Sequence, residues 1–332
     1  MNKKKIFRVA LVGCGGWGSV HAETYHNNPR TELVGICGRG KERSEALARK
    51  YKVPAFYDVQ HMAQKTQPDM VSIVTPHYTH VEYARQVIEK GIACFVEKPL
   101  ASDSKTAREL VELAESRGVP FIINFNHRYS AQAQFIRRVI DEGRLGKIAF
   151  ATAHFHGWHK HYPDEYPVHD VLVSMQCHMI DLLRYFLGEI VTVQTELYDF
   201  RGIGKFTTAA LVFRHKNEAI SSLLGSFDGD YASHEAERLE IVGENGRALV
   251  RNMAGEAEFQ TKDSRITEHW RPGLFDDNLR SFRYTVNQHL ELILDSLEKG
   301  GPVPTPASEG LRALEIAEGA LKSHLEGRRI RV

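Results

Sequence analysis

A chain of 332 residues is longer than one hydrophobic core usually supports, so two domains are expected. Lys and Arg number 43 against 42 Asp and Glu, a balance that excludes the one-signed footprint of a nucleic-acid or anionic-membrane binder and leaves small-molecule chemistry as the default. No apolar run approaches the roughly 20 residues of a membrane span, and the basic start at Lys3, Lys4 and Lys5 lacks the apolar core and cleavage site of a signal peptide, so a cytoplasmic protein with no membrane partner is expected.

Over residues 1–125, short apolar runs at 7–12, 33–37, 70–75, 94–97 and 121–124 alternate with stretches at 19–27, 41–50, 81–90 and 104–117 whose apolar residues recur three and four apart. That alternation is the pattern of βαβ units, and it predicts an α/β domain with a doubly wound parallel sheet and right-handed crossovers. After Arg128 the pattern changes. A helix over 132–141 ends at Glu142-Gly143, and strand-like runs follow at 148–156, 191–199, 207–214, 219–225, 238–242, 248–252 and 256–260. Gly243-Glu244-Asn245-Gly246 reads as the turn of a hairpin. Helices are expected at 174–187, 279–298 and 308–326, so residues 126–332 read as an α+β domain with an open, mostly antiparallel sheet. Cys14, Cys37, Cys94 and Cys177 stand far apart with no CxxC spacing, the pattern of buried thiols rather than of disulfides or a metal site.

The first strand runs directly into Gly13-Cys14-Gly15-Gly16-Trp17-Gly18, and a helical pattern begins at Ser19. A lone GxGxxG is only a glycine-rich turn. Between a strand and a helix it is a dinucleotide fingerprint: Gly13 makes the tight turn, Gly15 lets backbone approach a pyrophosphate, Gly18 permits close helix packing, and the helix N-terminus faces the phosphates, with Gly16 and Trp17 beside them. At the end of the second strand, where an acidic residue would bind the ribose hydroxyls of NAD, the chain has Gly38-Arg39. A guanidinium there pairs with a 2′-phosphate or stacks on adenine, which favours NADP and leaves NAD possible. The competing reading of Arg39 is a solvated loop residue.

Three further segments, Thr75-Pro76-His77-Tyr78-Thr79-His80, Glu97-Lys98-Pro99-Leu100, and the run from His178 through Asp181 to Gly188, make the chain resemble the glucose-fructose oxidoreductase, inositol dehydrogenase and rhizopine catabolism family, Gfo/Idh/MocA. The resemblance spans nearly the whole chain. It implies a Rossmann domain joined to an open-sheet α/β domain, homodimers or homotetramers built through that sheet, and oxidation or reduction of sugar or cyclitol carbons. It also implies that Lys98 contacts both the substrate hydroxyl and the cofactor ribose, with Glu97 and Pro99 placing it. Thr75, Pro76, His77 and His80 match a loop on the nicotinamide side of the cofactor, and Asn126 with Arg128 match the segment where the first domain hands over to the second.

Removing a hydride from a secondary alcohol leaves a hydroxyl proton that must depart, so the site needs a base that works near neutral pH. An amine held away from water beside a positive ring releases its proton more readily, and an imidazole already titrates in that range. Lys98 and His178 are the two candidates. Helical spacing would set Ser174, His178, Asp181 and Tyr185 along one stripe, with Asp181 either orienting the imidazole or serving as a structural hydrogen bonder. Where many relatives carry an aspartate four residues before the histidine this chain has Ser174, a candidate substrate contact, and Asp170 or His169 is placed to substitute for the missing carboxylate. Histidines at 154, 156, 159, 161 and 169 crowd around Trp158, Tyr162 and Tyr166 without the spacing of a zinc site. His156, Trp158, His161 and Tyr162 are read as a wall facing a sugar, against the plain alternative of an exposed loop. Two competing functions stay open: a redox-neutral glycosidase or epimerase that retains its NAD(P), and a non-catalytic cofactor-binding regulator.

Overall fold

The computed structural model describes residues 5–159 and 163–332. The chain forms two compact units, Met1–Phe125 with Val286–Leu311, and Asn126–Thr285 with Arg312–Val332.

The first unit runs β1 (Phe7–Val12), α1 (Gly16–Asn27), β2 (Thr31–Cys37), α2 (Lys41–Tyr51), β3 (Ala55–Phe56), α3 (Val59–Thr66), β4 (Met70–Ile73), α4 (His80–Glu89), β5 (Ala93–Glu97), α5 (Ser104–Ser116) and β6 (Phe121–Asn124). Its six strands are parallel in the order β3-β2-β1-β4-β5-β6, the doubly wound sheet expected from the alternation. The strands are continuous apolar runs because helices cover both faces, and Val9, Leu11, Met70, Ile73, Cys94 and Val96 are inaccessible to solvent. The order reverses between β1 and β4, and in such sheets the carboxyl ends of the strands at that reversal open a crevice. The pair β3 and α3 falls where the sequence pattern assigned nothing, since two residues of strand and eight of helix are too short to show a period.

The second unit has α6 (Ala131–Asp141), β7 (Ile148–His156), α7 (Cys177–Leu187), β8 (Ile190–Tyr198), β9 (Thr208–His215), β10 (Ile220–Ser226), β11 (Glu237–Gly243), β12 (Gly246–Arg251), β13 (Glu256–Thr261) and β14 (Glu268–Trp270). Helix α8 (Phe282–Lys299) begins in this unit and returns the chain to the first, and α9 (Ala307–Glu326) with β15 (Ile330–Arg331) ends it. The return is held within the first unit by charge and by packing. Arg30 donates to Glu291 at 3.0 Å, Asp295 at 2.6 Å and Glu298 at 2.8 Å, while Leu290, Ile293 and Leu294 join the core beside Tyr25 and Phe95.

Nine strands make the second sheet in the order β14-β13-β12-β11-β7-β10-β9-β8-β15, antiparallel except where β10 meets β7. One face is buried by Ala151, Ala153, Leu211, Phe213, Leu223 and Ile241, and the other leaves Phe150, Val212, Ile220 and Leu224 exposed. The hairpin expected at 243–246 joins β11 to β12, with Val242 opposite Arg247. The helix expected from Ser174 begins instead at Cys177, behind a five-residue π turn, Val171–Met175, which breaks the helical spacing assumed for Ser174.

Candidate functional site

A cavity of about 800 Å³ opens at the carboxyl edge of the parallel sheet, within the roughly 300–1,000 Å³ usual for ligand sites. Its floor is the β1–α1 turn. Gly13 has φ +123°, and a Cβ there would come 2.1 Å from the carbonyl oxygen of Val74; a Cβ on Gly18 would come 2.3 Å from that of Gly13. Neither position admits a side chain. At Gly15 and Gly16 nothing stands within 4 Å of where a Cβ would lie, so the backbone there is open to a ligand. Helices α3, α5 and α6 are capped by Asp58, Asp103 and Ser130, whereas α1 has Gly15 at its cap, no side-chain cap bond and no acidic residue in its first turn. Its first N–H groups and dipole are left for an anion, so these residues fit a dinucleotide.

Trp17, Gly38, Arg39, Thr75, Pro76, Glu97 and Lys98 line this cavity together with the glycines of the turn. Lys41, Glu42, Arg43, Tyr57 and Tyr83 also line it and lie outside the sequence-based candidates, although the charged segment Lys41-Glu42-Arg43 soon after Arg39 is an available signal. Arg39 Nη2 lies 3.5 Å from the Tyr78 hydroxyl.

His77 and His80 shape the wall from behind. His80 is buried, with its ring nitrogens each 2.8 Å from a carbonyl oxygen, of Pro99 and of Thr75, so one imidazole bridges the Thr75–Pro76 and Lys98–Pro99 segments. Burial, with the charges of His80 and Lys98, pushes the His77 pKa down to about 3, and burial lowers that of His80. Lys98 follows a buried carboxylate. Glu97 Oε1 accepts from His21 Nε2 at 2.9 Å and from the Asn124 amide at 2.6 Å, and its Oε2 accepts from the Lys98 backbone N–H at 3.2 Å. Burial alone would raise the Glu97 pKa, but the His21 bond and charge, the Lys98 charge and the Asn124 bond hold it below the usual carboxylate range.

The second unit gathers a different group. His178, on α7, is 6% exposed and stacks face to face on His127, ring centroids 3.8 Å apart and planes 5° apart. The Phe282 ring also stacks on His127, at 5.1 Å and 18°, and His127 Nδ1 lies 2.9 Å from Glu237 Oε1. The sequence of the handover segment points to Asn126 and Arg128 and gives no signal for His127 between them, because only the fold sets a histidine beside a histidine. Asn126 donates to the Thr285 hydroxyl at 2.8 Å. Arg128 grips both oxygens of Asp181 at 2.7 and 2.5 Å and lies over the Tyr185 ring.

Ser174, in the π turn, donates to the Asp170 carboxylate at 2.8 Å. His169 is buried, and desolvation takes its pKa down to about 4. His156 shares a sheet face with His154, Phe150 and Leu224 and not the buried face beneath α7, so strand alternation separates it from His178. Trp158 is half-exposed under the Arg201 guanidinium, which in turn pairs with Asp228 at 2.5 Å. His161 and Tyr162 lie outside the described residues.

Residues 7–125 match the model described as an oxidoreductase family with an NAD-binding Rossmann fold, and residues 133–249 match the GFO/IDH/MocA C-terminal domain. The chain is 25% identical over 338 residues to an inositol 2-dehydrogenase of Rhizobium meliloti, covering 98% of this chain and 99% of that one. It is 31% identical over 205 residues to a D-glucoside 3-dehydrogenase of Escherichia coli, covering 59% and 58%. Among solved structures, an oxidoreductase from Agrobacterium radiobacter in complex with NAD+, L-tartaric acid and magnesium superposes with a TM-score of 0.87 at 18% identity, covering 98% of each chain, a likeness of fold.

Proposed function

The chain belongs to the GFO/IDH/MocA oxidoreductase family and carries its NAD(P)-binding Rossmann domain, and from that premise we propose that it oxidises or reduces a secondary alcohol or ketone carbon of a sugar, cyclitol or sugar derivative, with NADP favoured over NAD. One observation carries this reading: a glycine turn with open backbone and an uncapped helix N-terminus shares its cavity with Lys98.

A nicotinamide dinucleotide, when bound, supplies the hydride acceptor or donor. The backbone of Gly15 and the first turn of α1 receive its pyrophosphate, while Arg39, Lys41 and Arg43 hold a phosphorylated ribose. Thr75 and Pro76 wall the cavity on the side braced by His80. The Lys98 amine and the His178 imidazole are the proposed proton carriers. In the oxidative direction one takes the hydroxyl proton as the carbonyl forms, and in the reductive direction it gives the proton back, a contribution of roughly 10²–10⁴-fold.

A panel of polyols and sugars tested with NAD and NADP, read by dihydronicotinamide absorbance and by product analysis, tests the assignment. Lys98→Ala and His178→Ala should each abolish turnover in folded protein, and normal activity in either variant removes that residue from the chemistry. Product formed without net absorbance change would replace the dehydrogenase with a redox-neutral enzyme. The same reading makes the protein a cytoplasmic homodimer or homotetramer, supported by the exposed apolar row Phe150, Val212, Ile220 and Leu224 on the second sheet. Cell fractionation checks the location, and sedimentation of wild type against Leu224→Lys checks the assembly; a monomeric wild type would refute it.

A further inference from the structure

Resting on the assignment of His178 as a proton carrier, we infer that His127 is its positioning residue, a stacked imidazole that fixes the plane of the His178 ring and, tied to Glu237, keeps that ring neutral and able to accept a proton.

The geometry has three parts. Centroids 3.8 Å apart and planes 5° apart leave the His178 ring no tilt without loss of the contact, and the Phe282 ring stacks on His127 at 5.1 Å. Glu237 reaches His127 from β11, with Oε1 2.9 Å from Nδ1, while its Oε2 accepts the Met253 backbone N–H at 3.0 Å. The carboxylate is therefore held in place and its free charge faces the imidazole. Both side chains are 6% exposed, so water screens the contact little.

Charge decides what such a stack does. Two imidazolium rings in contact would repel strongly, so charge on both at once is disfavoured. The Glu237 carboxylate, 2.9 Å from His127 Nδ1, draws positive charge toward His127 and away from His178.

Among the described residues, the charged and titratable groups near the pair besides Glu237 are the following. Arg128, beside His127, is matched by Asp181 on α7, giving no net charge. The Asp170 carboxylate before the π turn accepts from Ser174. Tyr231 approaches the same region with its hydroxyl 3.7 Å from the Met175 sulfur, and burial raises its pKa, so it stays neutral. On β7, His154 and His156 point to the opposite sheet face, and the ring nearest His127 is Phe155, at 6.1 Å.

His127→Phe keeps an aromatic ring of similar size and removes the second charge, His127→Ala removes the stack, and Glu237→Gln keeps the side-chain size and removes the carboxylate charge. The His178 ring resonance, assigned by its loss in His178→Ala, is titrated by NMR in each protein without substrate, alongside the pH profiles of kcat and KM. The His178 midpoint should rise by about one pH unit in His127→Phe. The acid limb of kcat/KM should move with it. His127→Ala should lower kcat roughly 10–100-fold with little change in substrate KM, and Phe at that position should restore most of the loss at the higher pH. Glu237→Gln should shift the His178 midpoint in the same direction by a smaller amount, and it decides the matter if His127→Phe does not fold. An unmoved His178 midpoint in these variants overturns the inference while leaving the dehydrogenase assignment intact. Normal turnover by His178→Ala would instead remove His178 from the chemistry, and with it the premise of the inference, while the titration of the wild-type pair would still report whether His127 acts on it.

Discussion

His21 Nε2 lies 2.9 Å from Glu97 Oε1, a contact that ties the helix behind the glycine turn to the carboxylate preceding Lys98. The His21 Nδ1 edge meets the Tyr25 hydroxyl at 2.9 Å, so the network continues into the core. The His21–Glu97 pair is nearly inaccessible to solvent, at 1% and 10%. Replacing His21 with Leu leaves Glu97 buried beside fewer donors, and breaking a buried pair in this way typically costs about 3–5 kcal/mol. Urea denaturation at neutral pH should show a loss of that order. Because the Glu97 pKa is lowered by folding, the stabilisation is present above the unfolded carboxylate value and is lost as pH falls through the folded one. The gap between wild type and His21→Leu should therefore shrink at acid pH, and a gap independent of pH would show that the carboxylate charge is not involved.

Asp181 holds Arg128 through two hydrogen bonds and is 1% exposed. Asp181→Asn should destabilise the protein by about 3 kcal/mol, since it leaves a guanidinium without its counter-charge. Turnover per folded molecule should stay within a few-fold of wild type. Full stability combined with lost turnover would instead place Asp181 in the chemistry.

Arg39 lines the cavity at the end of β2, where the acidic residue that would select NAD is missing. Arg39→Ala should lower kcat/KM for NADP by about 10–100-fold, the worth of one or two charge-assisted hydrogen bonds, and change the value for NAD little. Equal losses with both cofactors would mean that the guanidinium serves adenine or the fold, not the 2′-phosphate.

His169 is buried with its pKa at about 4, and His77 with its pKa at about 3, in each case with burial as the main cause. Both titrate near 6.5 when unfolded, so between that value and the folded one the unfolded chain binds more protons and stability falls as pH falls. Each group costs up to about 1.4 kcal/mol per pH unit in that window. His169→Phe should flatten the dependence of unfolding free energy on pH by close to one proton between about pH 4 and 6. An unchanged slope would mean that His169 is protonated in the native state.

Much of the first unit is legible in the sequence. Residues 9–12 are apolar without a break because a strand covered on both faces needs no alternation, and Gly13, Gly15 and Gly18 sit where a turn, a phosphate approach and a helix contact each exclude a side chain. The same local logic found the β11–β12 hairpin. It failed at β3 and α3, which are too short for a period, and at Ser174, where a π turn ends the helical spacing that a sequence pattern assumes. Strand alternation in β7 was readable, but which face of the sheet carries the helix was not, so His156 was assigned to a substrate wall although it shares its face with Phe150 and Leu224.

The residues alone determined what is local: the βαβ frame, the dinucleotide turn, Gly38-Arg39 in place of an acid at the end of β2, and the candidacy of Lys98 and His178. Tertiary structure decided every partnership between residues far apart in the chain: His21 with Glu97, Arg128 with Asp181, His127 with His178 and Glu237, and α8 with the core of the first unit. The physical reason is range. Propensity, capping and periodicity act over a few neighbouring residues, whereas hydrogen bonds and stacking act at 3 to 4 Å between groups that only the packed chain brings together.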